Sequence, residues 1–303
     1  MTDRNKTTLS FLCLFLTAAI WGFAFVAQVQ GMEFMGAFTY GGVRFAMGAL
    51  SLVPVMLLFE RGHGRPGEAK QTLRTGAVTG VILFVASTLQ QYGILLTNSA
   101  GKSGFITGLY TVLTPIFSIA LGKKPGLLTG IGAASAFAGL YFLSAPEGLG
   151  RVGLGDGLLV AGAVFWTFHI MAVDAWAPRV RPIRFSAVQF AVCAALSLIA
   201  MAIFERPTLA ALWEGRAPLL YGAFLSVGVA YTLQIVGQRS VAPSKAAIIF
   251  SLESLFAALG GFLLLREVLG WKQYLGGALM FLGIVLSQVK IRKRTPRPAA
   301  TPL

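Results

Sequence analysis

A chain of 303 residues that is 56% hydrophobic and only 12% charged, with a mean hydropathy of +0.74, is excluded from the soluble globular class. The formal net charge of +14 would suit nucleic acid, but the cations stand in short clusters between apolar runs rather than on one face or arm, so they read as membrane topology. The expected class is an all-α polytopic membrane protein, with the lipid bilayer as a partner and no nucleic acid.

A bilayer core ~30 Å thick needs ~20 residues of helix. Runs of that kind fall at about 9–29, 36–59, 74–96, 100–121, 126–144, 156–176, 184–204, 217–238, 245–265 and 270–289, which predicts ten helices. The first run follows Arg4 and Lys6 as a signal peptide would, but it is too long for such a segment and has a counterpart later in the chain, so it is expected to stay as a helix. The runs are continuous rather than alternating, which excludes an outer-membrane barrel. Cys13 and Cys193 fall inside spans without CxxC spacing and read as small buried hydrophobes; no metal site and no cofactor is expected.

An even number of spans puts both ends on one side. Eighteen of the 25 Lys and Arg residues fall on that side and six on the other, with Arg44 inside a span. The positive-inside rule then makes both termini cytoplasmic, in an inner membrane.

The halves align at offsets of 143 to 145 residues: Ile20-Trp21-Gly22-Phe23 with Phe165-Trp166-Thr167-Phe168, Arg44-Phe45-Ala46 with Gln189-Phe190-Ala191, Gln91 and Lys102 with Gln234 and Lys245, and Gly126, Gly132, Phe137 and Gly139 with Gly270, Gly276, Phe281 and Gly283. Five spans per unit is an odd number, so the second unit enters the membrane from the opposite side. The predicted organisation is a tail over 1–8, two inverted five-helix repeats over 9–145 and 154–289, and a basic tail over 290–303, with a central cavity near the midplane where the repeats meet.

WGFAF (21–25), RFAMGAL (44–50), AGKSGFITGLYTVLTPIF (100–117) and SKAAIIFSLESLFAALGGFLLLREVLGWKQYLGGALMFLGIVL (244–286) resemble the two tandem units of an EamA-type transporter of the drug/metabolite transporter superfamily. The resemblance covers residues 9 to 289. It implies a ten-helix, basket-like transporter with a central cavity, often one that exports amino acids or other small metabolites across a bacterial inner membrane. Ser254 stands where the family often carries proline after the glutamate.

Glu253, in the middle of IIFSLESLFAAL (248–259), is the foremost candidate, because a charge inside a span costs at least ~3 kcal/mol and is either satisfied by a partner or kept for a task. It reads either as a protonatable or substrate-amine-binding group facing the cavity, or as a structural carboxylate paired within the bundle. Its counterpart at the local offset is Tyr110. Helix rise puts Glu253 ~12 Å in from the cytoplasmic face and His169 ~10 Å, with Arg44 ~6 Å above Glu253, a gap a long side chain can span. Arg44 suits a substrate carboxylate bidentately, or pairs with Glu253. His169 is a lone histidine that either serves the cavity or bonds a neighbour.

Trp21 and Trp166 are repeat-related and near mid-depth, unlike the interfacial Trp176, Trp213 and Trp271, and are expected to line the cavity. Gln90, Gln91, Tyr92 and Gln234 supply hydrogen-bonding groups to a polar cavity or between helices, and Tyr110 and Thr114 share a helix face. Lys102 and Lys245 read as snorkelling anchors.

Gly101-Lys102-Ser103-Gly104 is not a P-loop, since Leu96 stands where the first glycine is required. Ser103 and His169 would fit an intramembrane protease, but lie towards opposite faces. The sequence therefore predicts a non-enzymatic secondary transporter exporting small metabolites, with amino acids of aromatic or bulky apolar side chain favoured, as a monomer or homodimer. The competing readings are a drug or quaternary-amine exporter and a polytopic membrane enzyme.

Overall fold

The apolar runs form helices because a backbone that cannot reach water must satisfy its N–H and C=O groups within the segment. The structure is a computed structural model that describes residues 3–60, 67–97, 100–123, 125–144, 153–265 and 270–289. The predicted basic tail over 290–303, the link over 145–152 and the loop cations Arg61, Arg65, Lys124, Arg151 and Arg266 lie outside the described residues, as do the side chains of Arg4, Lys6 and Lys102.

The helices are α1 Asp3–Phe34, α2 Ala37–Phe59, α3 Glu68–Thr97, α4 Ala100–Thr107, α5 Tyr110–Ala120, α6 Leu127–Ser144, α7 Leu154–Trp176, α8 Pro182–Phe204, α9 Leu209–Glu214, α10 Arg216–Leu220, α11 Thr232–Gln238, α12 Pro243–Phe250, α13 Leu252–Leu265 and α14 Trp271–Gln288. A π-helix, Tyr221–Tyr231, joins α10 to α11. Among the described residues, seven stretches are long and apolar enough to cross a membrane: Thr7–Phe34, Ala37–Phe59, Glu68–Thr97, Leu154–Arg179, Pro182–Phe204, Arg216–Gln238 and Pro243–Leu264. The other predicted runs hold shorter apolar helices.

The fourth predicted run, 100–121, is not one helix: α4 stops at Thr107 and α5 starts at Tyr110. Gly108 lies in the break, and Thr111 N–H closes an i→i+3 bond to Gly108 O at 3.0 Å. The ninth run is interrupted in the same way at Ser251, whose hydroxyl donates back to Ile248 O at 2.7 Å while Ser254 N–H bonds Ser251 O at 3.2 Å. The breaks are 143 residues apart, and the second forms with serine rather than proline at 254. At its other end α5 closes with Lys123 N–H on Ser118 O and Gly122 N–H on Ile119 O, a reversal in which Gly122 takes φ +76°.

Lipid tails give no hydrophobic drive to helix association, so close backbone approach decides who packs on whom. α6 lies along α14, where Gly132 meets the carbonyl of Gly283, Gly139 meets that of Gly276, and Ser135 Oγ donates to Leu279 O at 2.9 Å. α3 lies along α7 and α8, α2 along α8, and α1 along α13. Contacts between the halves come in exchanged pairs. Thr111 Oγ1 donates to Ala247 O and Ser254 Oγ to Gly104 O, each at 3.4 Å, and adding 143 to 104 and 111 gives 247 and 254.

The same exchange occurs at the ends of α2 and α8. Glu205, which ends α8, accepts from Phe38 N at 2.9 Å, Thr39 N at 2.8 Å and Thr39 Oγ1 at 2.6 Å, satisfying the free amides that start α2. Glu60, which ends α2, accepts from Ile183 N at 3.0 Å and Arg184 N at 3.1 Å at the start of α8. Glu60 is further held by Arg184 (Nε to Oε2, 3.8 Å), and its backbone carbonyl accepts from Arg181 and Arg184 at 2.9 Å each.

Candidate functional site

The interrupted helices place their break residues beside a cavity at the centre of the bundle. Its wall takes Trp21 from α1, Arg44 from α2, Gln90 from α3, Tyr110 from α5, Trp166 from α7, Gln234 from α11 and Glu253 from α13. Space for the centres of water-sized groups amounts to about 40 Å³, enough for a few waters. A larger cleft near Lys70, Arg74 and Trp176 opens at the surface, but lacks this convergence of buried ionisable groups.

Glu253 is 5% exposed and accepts a hydrogen bond on Oε1 from the Tyr110 hydroxyl at 2.9 Å. Its position depends on Gly22: a Cβ there would collide with Glu253 O, Phe256 Cβ and Ala257 N, so only glycine lets α1 lie against this turn of α13. Arg44, also 5% exposed, has its guanidinium carbon 4.9 Å from the Tyr40 ring centroid and 5.0 Å from that of Phe45. Two ring faces beside a desolvated guanidinium contribute up to ~2 kcal/mol. Among the described residues no ion pair joins Arg44 to Glu253. The cavity wall holds a guanidinium and a carboxyl group that do not touch each other.

Aromatic rings form the rest of the wall. The Trp21 and Trp166 ring centroids are 6.4 Å apart, and Tyr231 stands between the two halves with its ring 4.7 Å from Trp21 and 6.2 Å from Trp166. The indoles are fixed by their N–H groups: Trp21 Nε1 donates to Ser226 O at 3.3 Å and Trp166 Nε1 to Gln90 Oε1 at 2.6 Å. Three polar atoms of lining residues, Arg44 Nε, Thr107 Oγ1 and Gln234 Oε1, are buried without a hydrogen-bond partner. Buried polar groups seldom stay unpaired, so this wall suits a polar guest or water.

Three of the singled-out residues do not line the cavity. His169 is fully buried beside it, with Nε2 3.1 Å from Gln189 Oε1 and its ring edge-on to Trp166 and Tyr231. Gln91 sends its Nε2 to Gln28 O at 3.5 Å, and Tyr92 packs edge-on against Phe38 at 5.2 Å. Sequence reasoning missed Gln28, Tyr231 and Ser226, all of which do line it. Gln28 carried the same signal as Gln90, an amide in an apolar run, but stood at the edge of its predicted span. Ser103 shares a 2.8 Å hydroxyl contact with Thr97, and His169 is engaged with Gln189, so the two do not form a nucleophile–base pair.

The EamA-like transporter family matches the chain twice, over residues 8–145 and 153–288. The chain belongs to that family. This EamA-like transporter is 30% identical over 285 residues to an uncharacterized transporter of Archaeoglobus fulgidus, covering 92% of the chain and 86% of the relative. It is 24% identical to the uncharacterized transporter YetK of Bacillus subtilis, over 96% of the chain and 90% of that protein. A protein of known crystal structure shares the fold at 18% identity, with a TM-score of 0.76 over 95% of this chain and 97% of the other. It is therefore a multi-pass membrane transporter with a small-molecule substrate.

Proposed function

We propose that this chain is a secondary transporter exporting small zwitterionic metabolites, amino acids with aromatic or bulky apolar side chains foremost, across the inner membrane by alternating access. The observation that carries the reading is the pair Arg44 and Glu253 on one cavity wall with no ion pair between them. A carboxylate guest meets the guanidinium, an ammonium guest meets the carboxylate, and the indoles of Trp21 and Trp166 receive an apolar side chain. Glu253, Arg44, Gln90, Gln234, Tyr110 and the two tryptophans are the substrate-binding residues. His169 and Gln91 act behind them, on Trp166, Tyr231 and Gln28 of the wall, while Tyr92 packs on Phe38 away from it.

The exchanged contacts at Thr111/Ala247 and Gly104/Ser254, and at Glu60 and Glu205, support two inverted five-helix repeats, ten spans in all, and the distribution of Lys and Arg supports cytoplasmic termini. In this state the cavity is smaller than an amino acid, so the guest is admitted by separation of the helices around it.

The test is flux in proteoliposomes with a panel of amino acids and amines, with and without a pH gradient. The reading expects counterflow of phenylalanine and of other bulky amino acids. Transport of quaternary amines alone would replace it with a drug exporter, and hydrolysis of a membrane substrate without flux would replace it with an enzyme.

A further inference from the structure

The ties between the halves differ in where they sit: short bonds close both ends of one helix pair, while the interrupted helices hold a single short bond, at the cavity. Across α2 and α8 the bonds are short and charge-assisted, 2.6 to 3.1 Å, and sit at both ends of an antiparallel pair: Glu205 on Phe38 and Thr39, Glu60 on Ile183 and Arg184. Each carboxylate also faces the positive end of the helix it caps. At the outer clamp Gly36 leaves no space for a side chain, because the Glu205 carboxylate occupies it. Just inside that clamp, in the second turn of α2, a Cβ at Gly41 would lie 4.0 Å from Ser197 Cβ, so the helices touch there as well.

Across the interrupted helices one short bond, from the Tyr110 hydroxyl to Glu253 Oε1 at 2.9 Å, sits at the cavity itself, and the ties around it are at the limit of hydrogen bonding. Thr111 to Ala247 O, Ser254 to Gly104 O, and Ser118 to Ser244 each measure 3.4 Å. These helices, with α1 and α7, enclose the cavity that must widen to hold a substrate.

We propose that the reciprocal carboxylate clamps of Glu60 and Glu205 lock α2 and α8 into one fixed frame, against which α4–α5 and α12–α13 separate to open the cavity. The proposal rests on the transport reading above for its functional meaning, and on the clamp geometry for its mechanics. A frame clamped at both membrane faces does not hinge at either, so alternating access falls to the helices that carry Tyr110 and Glu253. Arg44, on α2, then stays with the frame while Glu253 moves, and the separation of the two charges changes through the cycle.

Disulfide bridging separates the two kinds of interface. In a Cys13→Ala/Cys193→Ala background, the pair Gly41→Cys/Ser197→Cys has the Cβ separation a disulfide needs, and Gly104→Cys/Ser254→Cys joins α4 to α13, where a Cβ at 104 lies 3.5 Å from Ser254 Oγ. With [14C]phenylalanine counterflow as the readout, oxidation across α2–α8 is expected to leave at least half the flux, and oxidation across α4–α13 to lower it at least tenfold, with recovery in reductant. A block by the α2–α8 bridge as complete as by the other overturns the frame. If the unbridged parent carries no phenylalanine flux, the transport reading fails and the frame is judged by spin-label distances. Labels at the exposed Leu50 and Ile199 are expected to give a narrower distribution than labels at Ile116 and Leu263, and to broaden in Glu60→Ala/Glu205→Ala. Equal widths, or no broadening, overturn it.

Discussion

The Tyr110 hydroxyl meets Glu253 Oε1 at 2.9 Å, joining residues 143 positions apart that stand in the first turn of the helices after the two helix interruptions. Matching positions of two halves touch each other only beside the axis that relates them, so this bond marks the centre of the bundle. One half supplies a phenol donor and the other a carboxyl acceptor, which gives a nearly symmetric scaffold one ionisable acid at its centre.

Replacing that acceptor tests its task. Glu253→Gln keeps the shape and the bond from Tyr110 but cannot carry charge, and is expected to abolish gradient-driven flux in proteoliposomes while the protein still inserts and elutes as a single species. Tyr110→Phe leaves a buried acceptor without its donor, a loss of ~1–3 kcal/mol, and is expected to reduce flux ~10-fold without eliminating it. Wild-type rates in Glu253→Gln would assign the carboxylate a structural role.

Gly22 is expected to be intolerant of any side chain. Gly22→Ala forces α1 away from the backbone of α13 at Glu253, with an expected cost of ~1–3 kcal/mol by thermal unfolding in detergent. Gly130, with nothing within 4 Å of an added Cβ, is the control: Gly130→Ala is expected to be neutral or slightly stabilising.

The end clamps make a stability prediction independent of transport. Glu205→Ala leaves the Phe38 and Thr39 amides without their acceptor and is expected to lower stability by ~1–3 kcal/mol, whereas Glu205→Gln retains an acceptor and loses less. A C-terminal reporter is expected on the cytoplasmic side. A periplasmic C-terminus would contradict ten spans in two inverted units.

The helical runs were legible because a membrane span announces itself by length and hydropathy, and the candidate charges because a polar residue in such a run is rare. Three things were not. Depth along a helix is counted in residues, but rotation about its axis is not, so counting did not show that the His169 ring turns to Gln189. The breaks at Gly108 and Ser251 lie inside unbroken apolar runs and are decided by local hydrogen bonds, not by hydropathy. Glu60 and Glu205 stood at span ends, where acids are usually solvated. Extending the repeat through the loops would have matched them at offset 145, yet only packing of α2 on α8 turns that match into two caps.

The central claim is that one wall holds a carboxylate site at Arg44 and an ammonium site at Glu253, and paired substrates address it directly. Phenylalanine and phenethylamine differ only in the carboxylate, so their counterflow rates measure what Arg44 contributes. The account predicts that the parent moves phenylalanine in preference to the amine, and that Arg44→Gln loses ~2 kcal/mol of that preference, about 30-fold, while amine flux is unchanged. A parent that moves both equally, with a ratio unaltered by Arg44→Gln, would contradict it.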